Sequence, residues 1–336
     1  MKPLLKLIFK LGLLGLPILV TLGTYIYFDP FMVLRKYTSY NETNGIELNR
    51  DYVSTEIFLR NYEREMYDSF IFGNSRTIAF TTTDWRKWIA PAKPYHFDAS
   101  LESIYGISGK LDLIDSKGGA IRNALFILDA SVLKAAADYD EHLLKKHPQV
   151  SGKNAVAFQT VFAKAYLSPT FVLPYLGREI SGKKVAWLPD PFRESTIEID
   201  PLTNDMRAPD AEHEISANPE AYYRKHAALF FAREDKAGTE LPAVIHEEQT
   251  KVLKHIQQKL QAHCTHYKLI IGPLYEQRKL HPDDLKILRE LFGAENVCDF
   301  SGINDYTRDI HNYYEESHFR PSVGRSILEC VYDPAR

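Results

Sequence analysis

Short apolar runs recur along the chain, and polar or turn-forming residues close each of them. Runs of this length predict buried strands, here at 70–72, 95–97, 124–128, 267–271 and 297–300. Apolar residues at helical spacing predict helices between them and after them, at 101–113, 244–262, 285–292 and 327–331. Strands that alternate with helices predict an α/β fold with a five-stranded, parallel, doubly wound sheet.

The stretch between the third and fourth predicted strands interrupts this alternation. It runs from about 133 to 241 and is rich in aromatic residues and prolines. A connection of this length is too long for a plain loop in a compact domain. We therefore predict an insertion with its own helices, at 155–166 and 221–232. The sequence leaves open whether the insertion covers the edge of the sheet or points away from it.

The first thirty residues have a different pattern. Lys2, Lys6 and Lys10 precede an uncharged, largely apolar run over 11–28. About 18–20 apolar residues cross the hydrocarbon core of a bilayer, and lysines before the run favour a cytoplasmic N-terminus. We predict one transmembrane helix within 1–30, a connecting segment over 31–66 and an extracytoplasmic domain over 67–334, in the inner or plasma membrane. A cleaved signal peptide is the alternative, but no small-x-small site follows the run.

Overall charge and cysteine content narrow the choice of function. The 336 residues carry a formal net charge of -3, without the basic excess typical of nucleic-acid-binding proteins. The three cysteines allow at most one disulfide, and their spacing does not indicate a zinc site. We expect no nucleic-acid partner, no metal and no cofactor.

The tetrad Gly73-Asn74-Ser75-Arg76 follows the first predicted strand directly. It predicts a strand end, a tight turn and a serine where a helix begins, at the edge of the sheet where open α/β folds bind ligands. Free N–H groups at a helix start can stabilise an oxyanion. The alternative is that Ser75 only caps the helix.

The segment Glu315-Glu316-Ser317-His318 lies near the other end of the chain, followed by Phe319-Arg320-Pro321. A serine nucleophile needs a base, and the base needs a group that orients it. His318 and the acid three residues before it fit these roles, although the two residues can equally form a surface pair. His311, Glu315 and His318 can also share a helical face and hold a metal, which we regard as the weaker interpretation.

These two motifs, with Gly324 and Ile327-Leu328 after them, resemble the SGNH hydrolase superfamily. The similarity is greatest to its membrane-anchored, extracytoplasmic branch, which includes proteins of lipoteichoic acid D-alanylation and alginate-type O-acetylation. The resemblance implies a flavodoxin-like three-layer sandwich with an N-terminal anchor. It also implies that Ser75 is the nucleophile, His318 the general base and Glu315 the acid that orients it. The family usually has Asp at that third position, so Glu316 and Asp309 remain alternatives.

The oxyanion site departs from the family pattern. The family uses a glycine after the second strand and an asparagine after the third, and this sequence has neither at those places. The backbone N–H of Ser75 and that of Ser100 or Ala99 remain as candidate donors, with Asn74 beside them. Arg76 and Arg320 are candidates for binding a substrate anion, or for tying down the structure around them.

The expected function is that of an SGNH-type serine O-acyltransferase or esterase acting on a cell-surface glycan or lipid-linked polymer. The resemblance further implies a partner, a membrane-bound O-acyltransferase. Two alternatives remain open: a non-catalytic assembly subunit of such a system, and a stand-alone membrane-tethered esterase.

Overall fold

The computed structural model describes residues 2–185, 187–188, 190–192, 196–233 and 237–333. The strands in this part of the chain are β1 (Ser69–Gly73), β2 (Pro94–His96), β3 (Asn123–Leu128), β4 (Glu198–Ile199), β5 (Met206–Arg207), β6 (His266–Ile271), β7 (Val297–Asp299), β8 (Tyr313–Glu315) and β9 (His318–Phe319). Its α-helices are α1 (Lys2–Phe28), α2 (Arg50–Glu65), α3 (Thr82–Ile89), α4 (Ile104–Ser116), α5 (Ala130–Lys134), α6 (Pro148–Ser151), α7 (Ala155–Tyr166), α8 (Pro169–Ser181), α9 (Pro209–Ala217), α10 (Pro219–Lys225), α11 (Glu247–Ala262), α12 (Pro282–Phe292), α13 (Asp305–Arg308) and α14 (Pro321–Tyr332).

Five strands form one parallel sheet in the order β2-β1-β3-β6-β7. The predicted α/β fold with a five-stranded parallel sheet is therefore confirmed. The chain crosses from one side of β1 to the other between β2 and β3, so the strand order reverses there. In open sheets of this kind the ligand binds outside the carboxyl ends of the strands at such a reversal. Ser75 follows β1 at that place.

Helices cover both faces of the sheet because its strands are apolar on both sides. Phe70 and Phe72 of β1 belong to the core that includes residues of α2, α4, α11 and α12. Ile71, between them, belongs to the opposite core with residues of α3 and α14. Alternate side chains of a strand point to opposite faces, so burial on both faces produces the continuous apolar runs seen in the sequence.

Helix α2 lies in the segment that the sequence analysis treated as a connection. Its N-cap is Asn49, whose side chain accepts a hydrogen bond from the Tyr52 N–H. Val53, Ile57 and Phe58 pack into the first core. The same helix buries several polar side chains, Arg50, Asp51, Ser54, Thr55 and Asn61. These polar residues conceal the amphipathic pattern that would have predicted the helix.

The connection between β3 and β6 contains helices α5 to α11 and the β4–β5 hairpin. The predicted helix at 155–166 is present with those bounds as α7. The helix predicted at 221–232 is shorter and begins earlier, as α10. Asn218 caps it and Pro219 occupies its first turn, a position that suits proline because the missing N–H is not needed there.

Helix α1 is 27 residues long, and its C-terminal end packs against α7. The Thr24 hydroxyl lies 2.9 Å from the Tyr166 hydroxyl, and the rings of Tyr25 and Tyr166 are 5.2 Å apart. Within the described residues, no helix combines the length and the apolar character needed to cross a membrane. The predicted transmembrane span is therefore not supported.

Helix α14 packs closely on the turn that follows β1. A Cβ atom at Gly324 would overlap the carbonyl group of Ala79, so only glycine permits this approach. Ala79 lies four residues after Ser75. The two ends of the sequence that carry the candidate catalytic motifs are therefore in direct contact.

Candidate active site

Gly73 ends β1 in a conformation that only glycine adopts readily. Its φ of 151° lies outside the usual range for other residues, and a Cβ atom there would overlap the Ile127 carbonyl oxygen of β3. The chain then turns into a 3-10 helix over Ser75–Ala79. Asn74 caps this helix, accepting from the Arg76 N–H at 3.1 Å. Because Asn74 makes the cap, the Ser75 hydroxyl is not used for it.

The Asp129 carboxylate, directly after β3, holds this turn in place. It accepts hydrogen bonds from Asn74 Nδ2 at 2.7 Å and from Arg76 Nη1 at 2.8 Å. Its other oxygen accepts from the Ser131 N–H at 2.7 Å. Burial raises the pKa of Asp129, but the Arg76 charge and these hydrogen bonds outweigh burial and hold the pKa below its usual value. The carboxylate is therefore ionised and can serve both partners.

Glu315 and His318 face each other across the antiparallel β8–β9 hairpin. Glu315 Oε1 is hydrogen-bonded to His318 Nδ1, and Glu315 Oε2 accepts from the Ser317 N–H at 2.6 Å. Burial raises the pKa of Glu315, but the bond to His318, the His318 charge and the Ser317 N–H outweigh burial and lower the pKa overall. The hairpin thus presents an ionised carboxylate to one nitrogen of the imidazole.

The other nitrogen of His318 faces Ser75. His318 Nε2 lies 2.7 Å from Ser75 Oγ, so the structure brings the three predicted catalytic residues together in one hydrogen-bonded chain. The carboxylate at Nδ1 favours a proton on that nitrogen, which leaves Nε2 free to accept the serine proton. The His318 side chain is 31% exposed, so the pair is accessible to a substrate.

Two of the candidate oxyanion donors are free to bind a substrate oxygen. The N–H groups of Ser75 and Ser100 have no hydrogen-bond partner among the described residues, and both residues line one cavity with His318. The Ala99 N–H donates to the Gly73 carbonyl at 3.2 Å. Of the two residues considered after the second strand, Ser100 is therefore the available donor.

A buried group of charged side chains holds the loop that carries Ser100. Before Ser100, Asp98 accepts from Arg50 Nε at 2.9 Å and from Arg50 Nη2 at 2.7 Å. After it, Glu102 accepts from Lys146 at 2.6 Å and is also bonded to Lys110. Both ends of the loop are therefore fixed by ion pairs in the core.

Asp51 completes this group of charges. It lies 3.1 Å from the Lys110 ammonium and accepts from the His147 N–H at 2.8 Å. Burial raises its pKa, but Lys110 and Lys146 outweigh burial and lower the pKa to about 2. The members of this buried charged group lie far apart in the sequence, so no local sequence motif predicts them.

The other predicted binding residues are engaged within the protein. Asn74 and Arg76 are bonded to Asp129, as described above. Arg320 forms a two-bond ion pair with Glu212 of α9, at 3.0 and 2.7 Å, which the sequence did not predict. The contacts of Asn74, Arg76 and Arg320 described here therefore hold parts of the protein together.

The alternative acids and the alternative metal ligand also lie elsewhere. Asp309 Oδ1 is 2.7 Å from His311 Nδ1, so these two exposed residues pair with each other. Glu316 is exposed at the hairpin turn. Glu315 is therefore the carboxylate that contacts His318.

The cavity beside Ser75 has a volume of about 670 Å³. The connection between β3 and β6 supplies much of its wall, including Ile197, Ile199, Met206, Ala208 and Tyr222. This answers the question left open by the sequence, because the connection lines the site. A largely apolar cavity next to a serine and a histidine can hold an acyl or alkyl group during acyl transfer.

The sequence was compared with models of known protein families and with curated proteins, and neither comparison gave a match.

Replacing Asp129 with Asn tests whether its charge holds the nucleophile turn. We expect Asp129→Asn to lower the free energy of unfolding by about 1–3 kcal/mol at neutral pH, because Arg76 loses its charged partner in a largely buried place. The measurement is urea denaturation followed by circular dichroism.

The difference in unfolding free energy between the unmodified protein and Asp129→Asn should also depend on pH. Since folding lowers the pKa of Asp129, its contribution is complete above the unfolded-state value of about 4 and is lost as the pH falls further. The difference in unfolding free energy should therefore narrow below about pH 4. A difference in unfolding free energy that stays constant well below that pH would show that the charge is not responsible. Asp305→Asn, at an exposed carboxylate 2.9 Å from Arg308 Nη1, is the matched control.

Proposed function

We propose that this chain is a serine-dependent acyl-transfer enzyme of the SGNH type, acting on esters of a cell-surface glycan or lipid-linked polymer. The observation that carries the proposal is the 2.7 Å contact between Ser75 Oγ and His318 Nε2, with Glu315 on the other nitrogen. A fold alone does not assign a function, but this arrangement meets the needs of an activated serine.

In the proposed reaction, Ser75 Oγ attacks the ester carbonyl as His318 Nε2 takes the serine proton. The tetrahedral intermediate places its oxyanion between the N–H groups of Ser75 and Ser100. It collapses to an acyl-serine when the C–O bond breaks and His318 gives its proton to the leaving alcohol. Water or a second hydroxyl then attacks the acyl group, with His318 again as base, and Ser75 regains its proton. Glu315 stabilises the imidazolium in both steps.

Two features of the fold support assignment to this superfamily. The strand order, second-first-third-fourth-fifth along the sheet, is that of flavodoxin-like sheets. Ser75 follows the first strand of the sheet, and His318 precedes the last helix. The motifs that resemble the superfamily predict the same two positions. The place after the third strand, where the family has an asparagine, holds Asp129.

A non-catalytic assembly subunit is a second candidate, favoured by that missing asparagine. Loss of one oxyanion donor typically lowers the rate roughly 100- to 1,000-fold. A chain that kept the fold for assembly with a membrane-bound O-acyltransferase would tolerate this loss. A stand-alone esterase would require only the two backbone donors.

Membrane attachment through α1 belongs to the same proposal, with the remainder of the chain on the extracytoplasmic side. Many large apolar side chains of α1 are more than half exposed, including Leu4, Leu5, Leu13, Leu16, Ile18, Leu19 and Ile26. An exposed apolar surface of this extent is typical of contact with lipid or protein. A partner acyltransferase in the membrane would then deliver acyl groups to Ser75.

Labelling of the full chain with a fluorophosphonate tests the activated serine. We expect Ser75→Ala to abolish labelling and His318→Ala to slow it about 100- to 10,000-fold, because His318 takes the serine proton as the hydroxyl attacks the probe. Ser322→Ala and His311→Ala, both at exposed positions outside the site, are the matched controls. Well-folded protein that does not label would favour the assembly subunit.

The backbone donor at Ser100 is tested by a pair of substitutions. We expect Ser100→Pro, which removes the N–H, to lower the hydrolysis rate of a p-nitrophenyl ester roughly 100- to 1,000-fold. Ser100→Ala keeps the N–H and should retain the rate within about 3-fold, since only the hydroxyl is lost. Near-ultraviolet circular dichroism checks the fold of both variants. Equal rates in the two variants would contradict the role of this N–H.

Flotation of the full chain with phosphatidylcholine vesicles tests attachment through α1. The unmodified chain should float with the vesicles. Leu16→Asp with Leu19→Asp should prevent flotation, because two charges on the exposed apolar surface of α1 oppose its burial in lipid. Leu202→Asp with Ile303→Asp, at exposed positions outside α1, is the matched control. Flotation that survives the changes in α1 would contradict the proposed anchor.

A further inference from the structure

One residue of the loop between β2 and α4 has a backbone conformation that leucine rarely adopts. Leu101 has a φ of 43°, in the left-handed region that a Cβ atom makes unfavourable. Leu101 directly follows Ser100, whose N–H is the second oxyanion donor of the proposed reaction. Unfavourable backbone conformations persist only where the surrounding structure enforces them, and they cluster at active sites.

Neither helix capping nor burial accounts for the conformation of Leu101. A left-handed residue is common where a helix ends, as at Met66 after α2, but Leu101 lies before α4, whose N-cap is Ser103. The Leu101 side chain is 53% exposed, so the burial of an apolar group does not offset the cost of the backbone. The conformation is therefore set by the contacts on either side of it.

The chain before Ser100 is held by hydrogen bonds. The Ala99 N–H donates to the Gly73 carbonyl of β1 at 3.2 Å. The Asp98 carbonyl accepts from the Ser54 hydroxyl of α2 at 2.8 Å. The freely placed part of the loop therefore begins at Ser100.

The ammonium of Lys110 joins this part of the loop to the part after Leu101. Lys110 Nζ donates to the Asp98 carbonyl at 2.8 Å and is also bonded to the Glu102 carboxylate. Lys110 is fully buried, so losing either partner would leave a buried charge with one bond fewer. One side chain of α4 therefore fixes both ends of the loop.

Only Ser100 and Leu101 lie between the held residues Ala99 and Glu102. Each residue of the chain has two soft dihedral angles. A different φ at Leu101 would have to be absorbed mainly by the dihedral angles of Ser100, because the neighbours on both sides are held. The backbone of Leu101 is thus coupled to the direction of the Ser100 N–H.

We propose that Leu101 is a positioning residue for the oxyanion site. Its left-handed backbone, which Lys110 enforces, holds the Ser100 N–H toward the cavity. This inference rests on the proposed function for what that N–H does. A donor that is fixed before the reaction needs no reorganisation when the oxyanion forms. The bond is made mainly in the transition state, so its loss lowers kcat and leaves KM nearly unchanged.

Hydrolysis of a p-nitrophenyl ester by the full-length Leu101→Val and Leu101→Asn proteins tests this role. A β-branched residue resists the left-handed region, whereas asparagine enters it more readily than most residues. We expect Leu101→Val to lower kcat at least about 10-fold, and at most by the roughly 1,000-fold effect of a lost oxyanion donor. KM should stay within about 3-fold. Leu101→Asn should keep kcat within about 3-fold of the unmodified protein, because its backbone can remain left-handed.

Met66→Val and Met66→Asn are the matched controls. Met66 is also left-handed, with a φ of 53°, and it is 55% exposed. It precedes β1, at the edge of the sheet opposite Ser75. At both positions the valine variant should have a lower urea midpoint than the asparagine variant, because valine strains both backbones. Only Leu101→Val should also lower kcat.

An unchanged kcat in Leu101→Val would overturn the positioning role, as would an equal loss of kcat in Leu101→Val and Leu101→Asn. A rise in KM alone would overturn it too. Failure of the proposed function gives a different result. The unmodified protein would then neither hydrolyse the ester nor label with the fluorophosphonate, while the urea midpoints would still separate Leu101→Val from Leu101→Asn. In that case the strained loop is present without an oxyanion to bind, and the role of Leu101 falls with the function.

Discussion

The alignment of Ser75 with His318 depends on one buried carboxylate, that of Asp129. It stands at the end of β3 and binds the side chains on both sides of Ser75, Asn74 and Arg76. β1 and β3 are neighbours in the sheet, so this contact fixes the nucleophile turn to the end of the central strand. Removal of the whole carboxylate would leave the Asn74 amide and the Arg76 guanidinium without this acceptor, and both groups would have to find water or another partner.

A second set of contacts fixes the histidine side. Tyr222 and Tyr223 of α10 donate hydrogen bonds to the carbonyls of Tyr314 and Tyr313 in β8. Arg320, after β9, pairs with Glu212 of α9. The connection between β3 and β6 therefore has two tasks: it forms part of the cavity wall, and it holds the hairpin that presents His318. A change in that connection would affect both the shape of the cavity and the position of the base.

Sequence patterns were sufficient where the information is local. The five strands of the sheet are buried on both faces, which produces apolar runs that are easy to recognise. Ser75 and His318 lie in short motifs whose chemistry can be recognised without the fold, and Glu315 contacts His318 because a hairpin needs only two residues between them. The strand ends shifted by at most one residue, as expected where hydrogen bonding rather than hydrophobicity sets the boundary.

The remaining features depend on contacts between distant residues. Helix α2 was missed because Arg50, Asp51 and Asn61 are buried in it, against the usual pattern of a surface helix. Their partners lie far away in the sequence, as with Asp98 for Arg50. The sequence could not distinguish the Ser100 N–H from the Ala99 N–H as a candidate donor. The structure does, because the Ala99 N–H donates to the Gly73 carbonyl. Such facts follow from packing, which a single sequence does not display.

The separation of 243 residues between Ser75 and His318 has a consequence for the nascent chain. At about 5–20 residues per second, the ribosome needs roughly 10–50 s to add the residues between them. Throughout that time the serine has no base, and for most of it β6 and β7, which complete the sheet, have not yet been synthesised. Translation itself therefore delays the assembly of the hydrogen-bonded chain until the sheet can close, and a half-made chain carries a serine that is chemically ordinary.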